Sequence, residues 1–248
     1  MALFNYPMMT IKHSLRKYLA ASLWSFLHEI HGIYMGGYAS KSYAQEGEDV
    51  LLARIFGSKR EGFYVDVGAH HPVRFSNTYF YYKRGWRGIN IEPNPTGGRL
   101  LKRFRPRDIN LEMGISDRPG ELTYWMFDEP ALNSFDQDVV QQRIAQTGYT
   151  LIGKKQINVA RLDSVLENYI KPDTTIDFMS VDTEGHDLSV LKSNDWTRFR
   201  PSWLLVESLG QNVALDKIQT EQHLFLLSKD YGLYAKTVNT YIYRNLRL

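Results

Sequence analysis

Four apolar runs in this chain end in an acid. Asp66 lies in YVDVG, with Gly68 two residues on. Glu92 closes INIE, Asp182 closes FMSVD and Glu207 closes LLVE. Short apolar runs of this kind are buried strands, and in open α/β sheets ligands bind outside the carboxyl ends of the strands. One such acid is usually a helix cap or a solvated turn residue. Four at four strand exits point to a binding edge. Carboxylates placed there accept hydrogen bonds from hydroxyls or hold a hard cation. The block Asp182-Thr183-Glu184-Gly185-His186-Asp187 adds an imidazole able to move a proton.

The neighbours of Gly68 narrow the ligand. Glycine there lets backbone approach a bound molecule. Glu92 follows by 24 residues, near the spacing of about 20 at which an acid receives ribose hydroxyls. A dinucleotide fingerprint would continue with two more glycines to seat a pyrophosphate on a helix N-terminus. This chain has Ala69-His70-His71-Pro72-Val73 instead. That substitution argues against a nicotinamide-dependent oxidoreductase and for a cofactor with ribose but no pyrophosphate. S-adenosylmethionine meets that description. Two adjacent histidines point in different directions. His70 is the one placed near the methionine tail or the substrate, and His71 with Pro72 shapes the loop. Tyr79 and Lys83 carry the spacing of a dehydrogenase pair, but they fall on the first helix, where they pack.

These residues need a scaffold, and the chain supplies one. Its 248 residues fit one α/β domain, or one domain plus an arm. The net charge of +3 gives no bulk field for nucleic acid. Cysteine is absent, which excludes disulfides and thiolate metal sites. Strands are expected at Gly62–Val67, Arg87–Ile91, Asp108–Met113, Glu121–Phe127, Ile176–Val181 and Trp203–Val206. Helices are expected at Glu48–Phe56, Ser76–Arg84 (capped by Ser76), Pro95–Phe104, Leu162–Tyr169, from Leu188 to Lys192 and at Gln219–Tyr231. Their alternation predicts an α/β fold with a mostly parallel sheet. Leu233–Val238 and Tyr241–Arg244 predict a terminal hairpin that adds an antiparallel strand at one edge. Asp128–Lys155, with a helix at Asp136–Gln146, reads as an insertion over the sheet, where specificity is expected. Arg99, Lys102, Arg103 and Arg105 form a basic stripe, a solvated face or a contact for an acidic substrate carrier.

Residues 1–41 differ in character. Ile11–Ile30 carries Leu15, Leu19, Leu23, Phe26 and Leu27 at helical spacing, behind Lys12, Arg16 and Lys17. The apolar run is too short to span a bilayer. An N-terminal helical arm is expected over 1–41, with a linker at Tyr34–Ser42. The arm is a packing or homo-oligomer contact, with a peripheral membrane contact as the alternative. Residues 42–248 form the second expected unit, and the expected compartment is cytoplasmic.

Four blocks together resemble a known family: SYAQEGEDVLL (Ser42–Leu52), YVDVGAHHPVRFSNTYFYYKRGWRGINIEPNP (Tyr64–Pro95), LNSF (Leu132–Phe135) and IDFMSVDTEGHDLSVLKS (Ile176–Ser193). In that order they resemble the FkbM-type methyltransferases, from about Ser42 to Glu207. The resemblance implies a Rossmann-like class I methyltransferase fold, S-adenosylmethionine as methyl donor, and O-methylation of a carbohydrate or glycoconjugate. It also implies cofactor roles: Asp66 and Gly68 in the first motif, Glu92 on the ribose hydroxyls, Gly114 near the adenine, and Gln45 with Glu48 at the methionine end. Glu46 and Glu48 also suit the N-terminal turn of a helix.

Methyl transfer to a hydroxyl is an in-line displacement, and a sugar hydroxyl is a weak nucleophile at neutral pH. A general base or a divalent metal would activate it. Asp182 and Glu207 are the expected ligands of a Mg²⁺ ion, His186 the expected base, and Glu184 a competing base or third ligand. In the competing arrangement Asp182 and Glu184 only cap the following helix, with His186 exposed in its first turn. Asn133 and Ser134 are further candidates for a substrate or cofactor contact.

Overall fold

A computed structural model of the chain describes residues 21–36, 38–146, 148–208 and 218–248. It falls into two compact units. One holds the described residues up to Lys41 together with Val50–Lys59, and the other holds Ser42–Asp49 and Arg60–Leu248. In the first unit α1 (Ala21–Tyr34) shows Leu23, Phe26, Leu27, Ile30 and Ile33 to solvent. The expected helix over Ile11–Ile30 overlaps it only in part, since residues 1–20 lie outside the described ones. No described helix is long and apolar enough to cross a membrane. Helix α2 (Glu48–Phe56) follows.

The second unit is built on a seven-stranded sheet in the order β3-β2-β1-β7-β8-β10-β9. Its centre is β1 (Phe63–Val67), β2 (Arg87–Ile91), β7 (Phe178–Val181) and β8 (Trp203–Glu207), all parallel. Each carries an unbroken run of buried residues, as parallel strands covered on both faces must. Val65, Ile89, Met179 and Leu204 anchor one contiguous core. The parallel strands are joined through α3 (Tyr79–Lys83), α4 (Pro95–Phe104), α6 (Leu162–Tyr169) and α7 (Asp187–Lys192). Asn94 starts α4 by accepting the Thr96 N–H at 3.0 Å, with Pro95 in the first position that tolerates it. β3 (Ile109–Leu111) closes that side.

The terminal hairpin lies at one edge of the sheet, as expected, and the strand order refines its placement. β10 (Thr240–Asn245) is antiparallel to both neighbours, but it lies inside the sheet between β8 and β9 (Tyr231–Lys236). The edge belongs to β9. The reason is burial: Tyr241, Ile242 and Tyr243 are consecutive and buried, as an interior strand requires, whereas β9 is largely half-exposed. The preceding helix α8 (Glu221–Leu227) is shorter than expected, because the chain turns at Asp230 (φ 60°) and enters β9 at Tyr231.

A second sheet, β4-β6-β5, is absent from the sequence reading. It comprises β4 (Gly114–Ile115), β5 (Gly120–Phe127) and β6 (Leu151–Ala160), the last paired along the length of β5. The middle of β6 is Lys154-Lys155-Gln156, exposed and polar, so no apolar run announces it. Pairing with β5 fixes it instead. The insertion is therefore a 3₁₀ turn (Pro130–Leu132), helix α5 (Gln137–Gln146) and half a hairpin.

Arg105 leaves the basic stripe. Arg99, Lys102 and Arg103 are exposed, but Arg105 is fully buried, with its Nε 2.9 Å from Asp108. It also donates to Tyr64 and Thr78 hydroxyls. This network ties β1, β2 and the loop before α3 together.

Candidate active site

Strand register decides which acids meet. Val67 is level with Ile91 and Val181, and Val181 with Val206. The next residues, Gly68, Glu92, Asp182 and Glu207, therefore leave the sheet at one level. Asp66 does not belong to that row. It sits two positions lower, buried, and accepts the Thr78 hydroxyl at 2.6 Å. Burial raises its carboxyl above the usual range. Asp66 does not line the cleft; it fastens β1 to the start of α3.

A cleft opens above the row, with Gly68, Glu92 and Asp182 in its lining. Gly68 lines it in a left-handed conformation (φ 83°). A Cβ there would overlap the Asp182 carbonyl oxygen. The close approach that requires glycine is therefore that of the neighbouring strand exit. Gly114 acts in the same way, since a Cβ would stand 2.7 Å from Phe135 Cζ, and Phe135 forms the cleft wall with Met113, Ile115 and Tyr124. These apolar side chains form one wall of the cleft.

Glu92 is buried and held by two backbone donors, His70 N–H at 2.6 Å and Asn94 N–H at 2.7 Å. Burial outweighs them and raises its pKa to about 7. His70 also lines the cleft, with φ 51°. Its Nε2 is buried without a partner, and burial lowers its pKa to about 4, so the ring is neutral. His71 Nδ1 accepts from Val73 and Arg74 N–H at 3.1 and 2.9 Å and shapes the loop. After Gly68 the chain reaches no helix until Tyr79, and α3 is one turn long. A pyrophosphate has no helix N-terminus to meet there.

At the other end, Asp182, Glu184 and Glu207 bring one carboxylate oxygen each within 4.8 Å of one another. Burial raises both the Asp182 and the Glu207 carboxyl well above the usual range, with the Glu184 and Asp187 charges adding to it and, at Glu207, the Asp182 charge as well. Glu207 is only 9% exposed, and its Oε2 has no partner. Glu184 stands in a left-handed conformation (φ 54°) and pairs with Arg143 of α5. Its carbonyl accepts the Ser134 hydroxyl at 2.7 Å. Asn133 lines the cleft while its Oδ1 accepts the Phe127 N–H at 2.8 Å. The LNSF block thus latches the insertion to the acidic turn.

His186 stands apart from the cleft. Its Nε2 lies 3.1 Å from Ser116 Oγ, and its ring packs on Phe135 at 5.7 Å. It is not among the described lining residues. Asp187 closes the turn, accepting Thr183 N–H at 2.9 Å. Gln45 does line the cleft, while Glu48 accepts Glu46 N–H and the Thr237 hydroxyl. Sequence reasoning missed Phe75, Asn77, Asn239 and Thr240, which lie beside the acidic end. Phe75 and Asn77 lie inside the Tyr64–Pro95 block, but nothing there singles them out, and folding alone brings Asn239 and Thr240 beside them.

Comparison with known proteins adds a family. The model of the methyltransferase FkbM domain matches residues 66–232. A search of curated proteins finds no match. Among solved structures, the chain is similar to a precorrin-6y C5,15-methyltransferase from Geobacter metallireducens GS-15, at 14% identity and TM-score 0.39, covering 82% of this chain and 91% of that one. It is also similar to an O-methyltransferase from Bacillus cereus in complex with SAH, at 13% identity and TM-score 0.39, covering 94% and 96%.

Proposed function

Because this chain belongs to the FkbM methyltransferase domain family, we propose that it moves the methyl group of S-adenosylmethionine to a hydroxyl oxygen of a sugar in a glycan or glycoconjugate, with a divalent cation such as Mg²⁺ at the acidic end. The observation that carries this reading is one cleft that joins Glu92 and an apolar wall to Asp182 and Glu184, on which Glu207 converges from beside it.

The donor suits the first end. Glu92 accepts from ribose hydroxyls, Met113, Ile115 and Phe135 flank the adenine, and Gln45 and His70 face the amino-acid tail. The bound donor supplies a methyl group on a sulfonium, ready for in-line displacement. The carboxylates suit a hard cation, since Glu207 Oε2 is an orphaned buried acceptor. Asp182, Glu184 and Glu207 would hold it, and it would lower the pKa of a nearby hydroxyl. Arg143 limits the negative charge by pairing with Glu184. As the C–O bond formed and the S–CH3 bond broke to leave S-adenosylhomocysteine, a carboxylate of this group would take the hydroxyl proton.

Isothermal calorimetry with SAH, followed by methyl transfer to a panel of sugars with intact-mass detection, tests the reading. Micromolar SAH binding and a mass gain of one methyl are expected. Failure to bind either SAH or S-adenosylmethionine overturns it. For the cation, melting temperature and calorimetry with Mg²⁺ against excess chelator should differ; identical values in both remove the metal from the proposal.

A further inference from the structure

Helix α1 is packed on one side only. Leu23, Phe26, Leu27, Ile30, Ile33 and Tyr34 recur at helical spacing, so they form one stripe along it. All six are exposed, Phe26 by 61% and Ile33 by 63%. Ser25, His28 and Gly32 lie on the opposite side. There the chain returns on itself. Tyr38 donates its hydroxyl to Glu29 at 3.0 Å, and its ring covers Gly32, where a Cβ would overlap it. Among the described residues of α1 only Gly32 is buried. The contact with Tyr38 therefore takes the polar side and leaves the apolar stripe to solvent.

An exposed stripe of this size is a contact surface, and the charges near it indicate the partner. Lys12, Arg16 and Lys17 precede α1, and no aspartate or glutamate occurs before Glu29. The segment is cationic as well as apolar. In an isologous pair the same residues would face each other, with no acid to meet those cations. An anionic bilayer meets both features: its headgroups attract the lysines and the arginine, and its acyl boundary takes the stripe. Trp24 borders the stripe, and Tyr34 and Tyr38 stand exposed at its far end. Rings of these types settle at headgroup level. Over its described 14 residues α1 is too short to cross a bilayer, so the stripe would lie in the membrane plane.

We propose that α1 is a docking surface for an anionic lipid bilayer. It lies in the plane of the surface with Phe26, Ile30 and Ile33 among the acyl chains, drawn there by Lys12, Arg16 and Lys17. No residue of α1 lines the cleft, so this docking stands apart from the methyltransferase reading.

The test sediments the full chain with vesicles of phosphatidylcholine alone and of equal parts phosphatidylcholine and phosphatidylserine. Binding to the anionic vesicles should be at least about tenfold tighter, and rising salt should weaken it by about tenfold or more. Phe26→Ser combined with Ile33→Ser should weaken it by about a hundredfold. Both side chains are exposed, so thermal unfolding of that variant should match the wild type. Lys102→Glu combined with Arg103→Glu, on the exposed basic face of α4, should change vesicle binding by less than about twofold. Equal binding to neutral and anionic vesicles overturns the proposal, as does binding to neither. Loss of binding in the α4 variant with the α1 variant unaffected overturns it as well. Without lipid, sedimentation velocity should give the same oligomeric state for the wild type and the α1 variant. A dimer that the α1 variant dissociates assigns the stripe to a second copy of the chain and overturns the lipid surface.

Discussion

The two ends of the cleft leave the sheet at the same level but are finished to different degrees. At Glu92 both carboxylate oxygens are already held, by His70 and Asn94 N–H groups. At the other end the half-buried Asp182 and the buried Glu207 stand close together, and one Glu207 oxygen has no partner. The first end is preorganised, so a ligand gains affinity there without rearranging the protein. The second carries an electrostatic cost that only a proton, a cation or a donor-rich ligand relieves. Binding and chemistry should therefore separate along the cleft.

Asp182→Asn is the sharpest way to break that separation. It should lower methyl transfer by about a hundredfold or more, while SAH affinity, measured by calorimetry, changes far less. Equal losses in both would mean that the ends are not distinct. Glu92→Gln is the converse. It should weaken SAH by about tenfold, the cost of one charge-assisted hydrogen bond, and leave Mg²⁺ binding at the acidic end unchanged.

The preorganised end also has a pH signature. Glu92 is raised from 4.5 to about 7, so its favourable protonated state is fully present below pH 4.5 and is lost as pH rises to 7. His70 is lowered from 6.5 to about 4, so its contribution is present above pH 6.5 and is lost as pH falls to 4. Arg74, His71 and Glu129 are the charges that act on it besides burial. Thermal unfolding against pH should flatten on the acid side in His70→Asn and on the neutral side in Glu92→Gln, by a few degrees each. No change in either limb would place both groups in ordinary solvent.

The smallest effect is expected from His186→Gln. The side chain contacts Ser116 and Phe135, so methyl transfer should fall less than about threefold, short of the loss that removing a general base brings. A hundredfold fall would return His186 to the chemistry.

The acids of the site are legible in the sequence because strand ends are local: an apolar run that stops at Glu92, Asp182 or Glu207 marks an exit whatever lies elsewhere. The direction of each side chain is not. His186 and Glu184 share one turn, yet the turn sends one to Ser116 and the other to Arg143. β6 escaped notice because its polar middle needs β5 to be a strand. Gly68 is legible as a glycine but not in its reason, since the Asp182 carbonyl that excludes a Cβ comes from a strand more than a hundred residues later.

Composition, alternation and the four family blocks determined the α/β scaffold, Glu92 at its strand exit and the acidic row, since each depends on residues near one another in the chain. The tertiary structure alone decided that the antiparallel strand lies inside the sheet, that Arg105 is buried and that His186 turns from the cleft. It also placed Asn239 and Thr240 beside Asp182. Those outcomes depend on burial and pairing between distant segments, energies to which no local stretch of sequence has access.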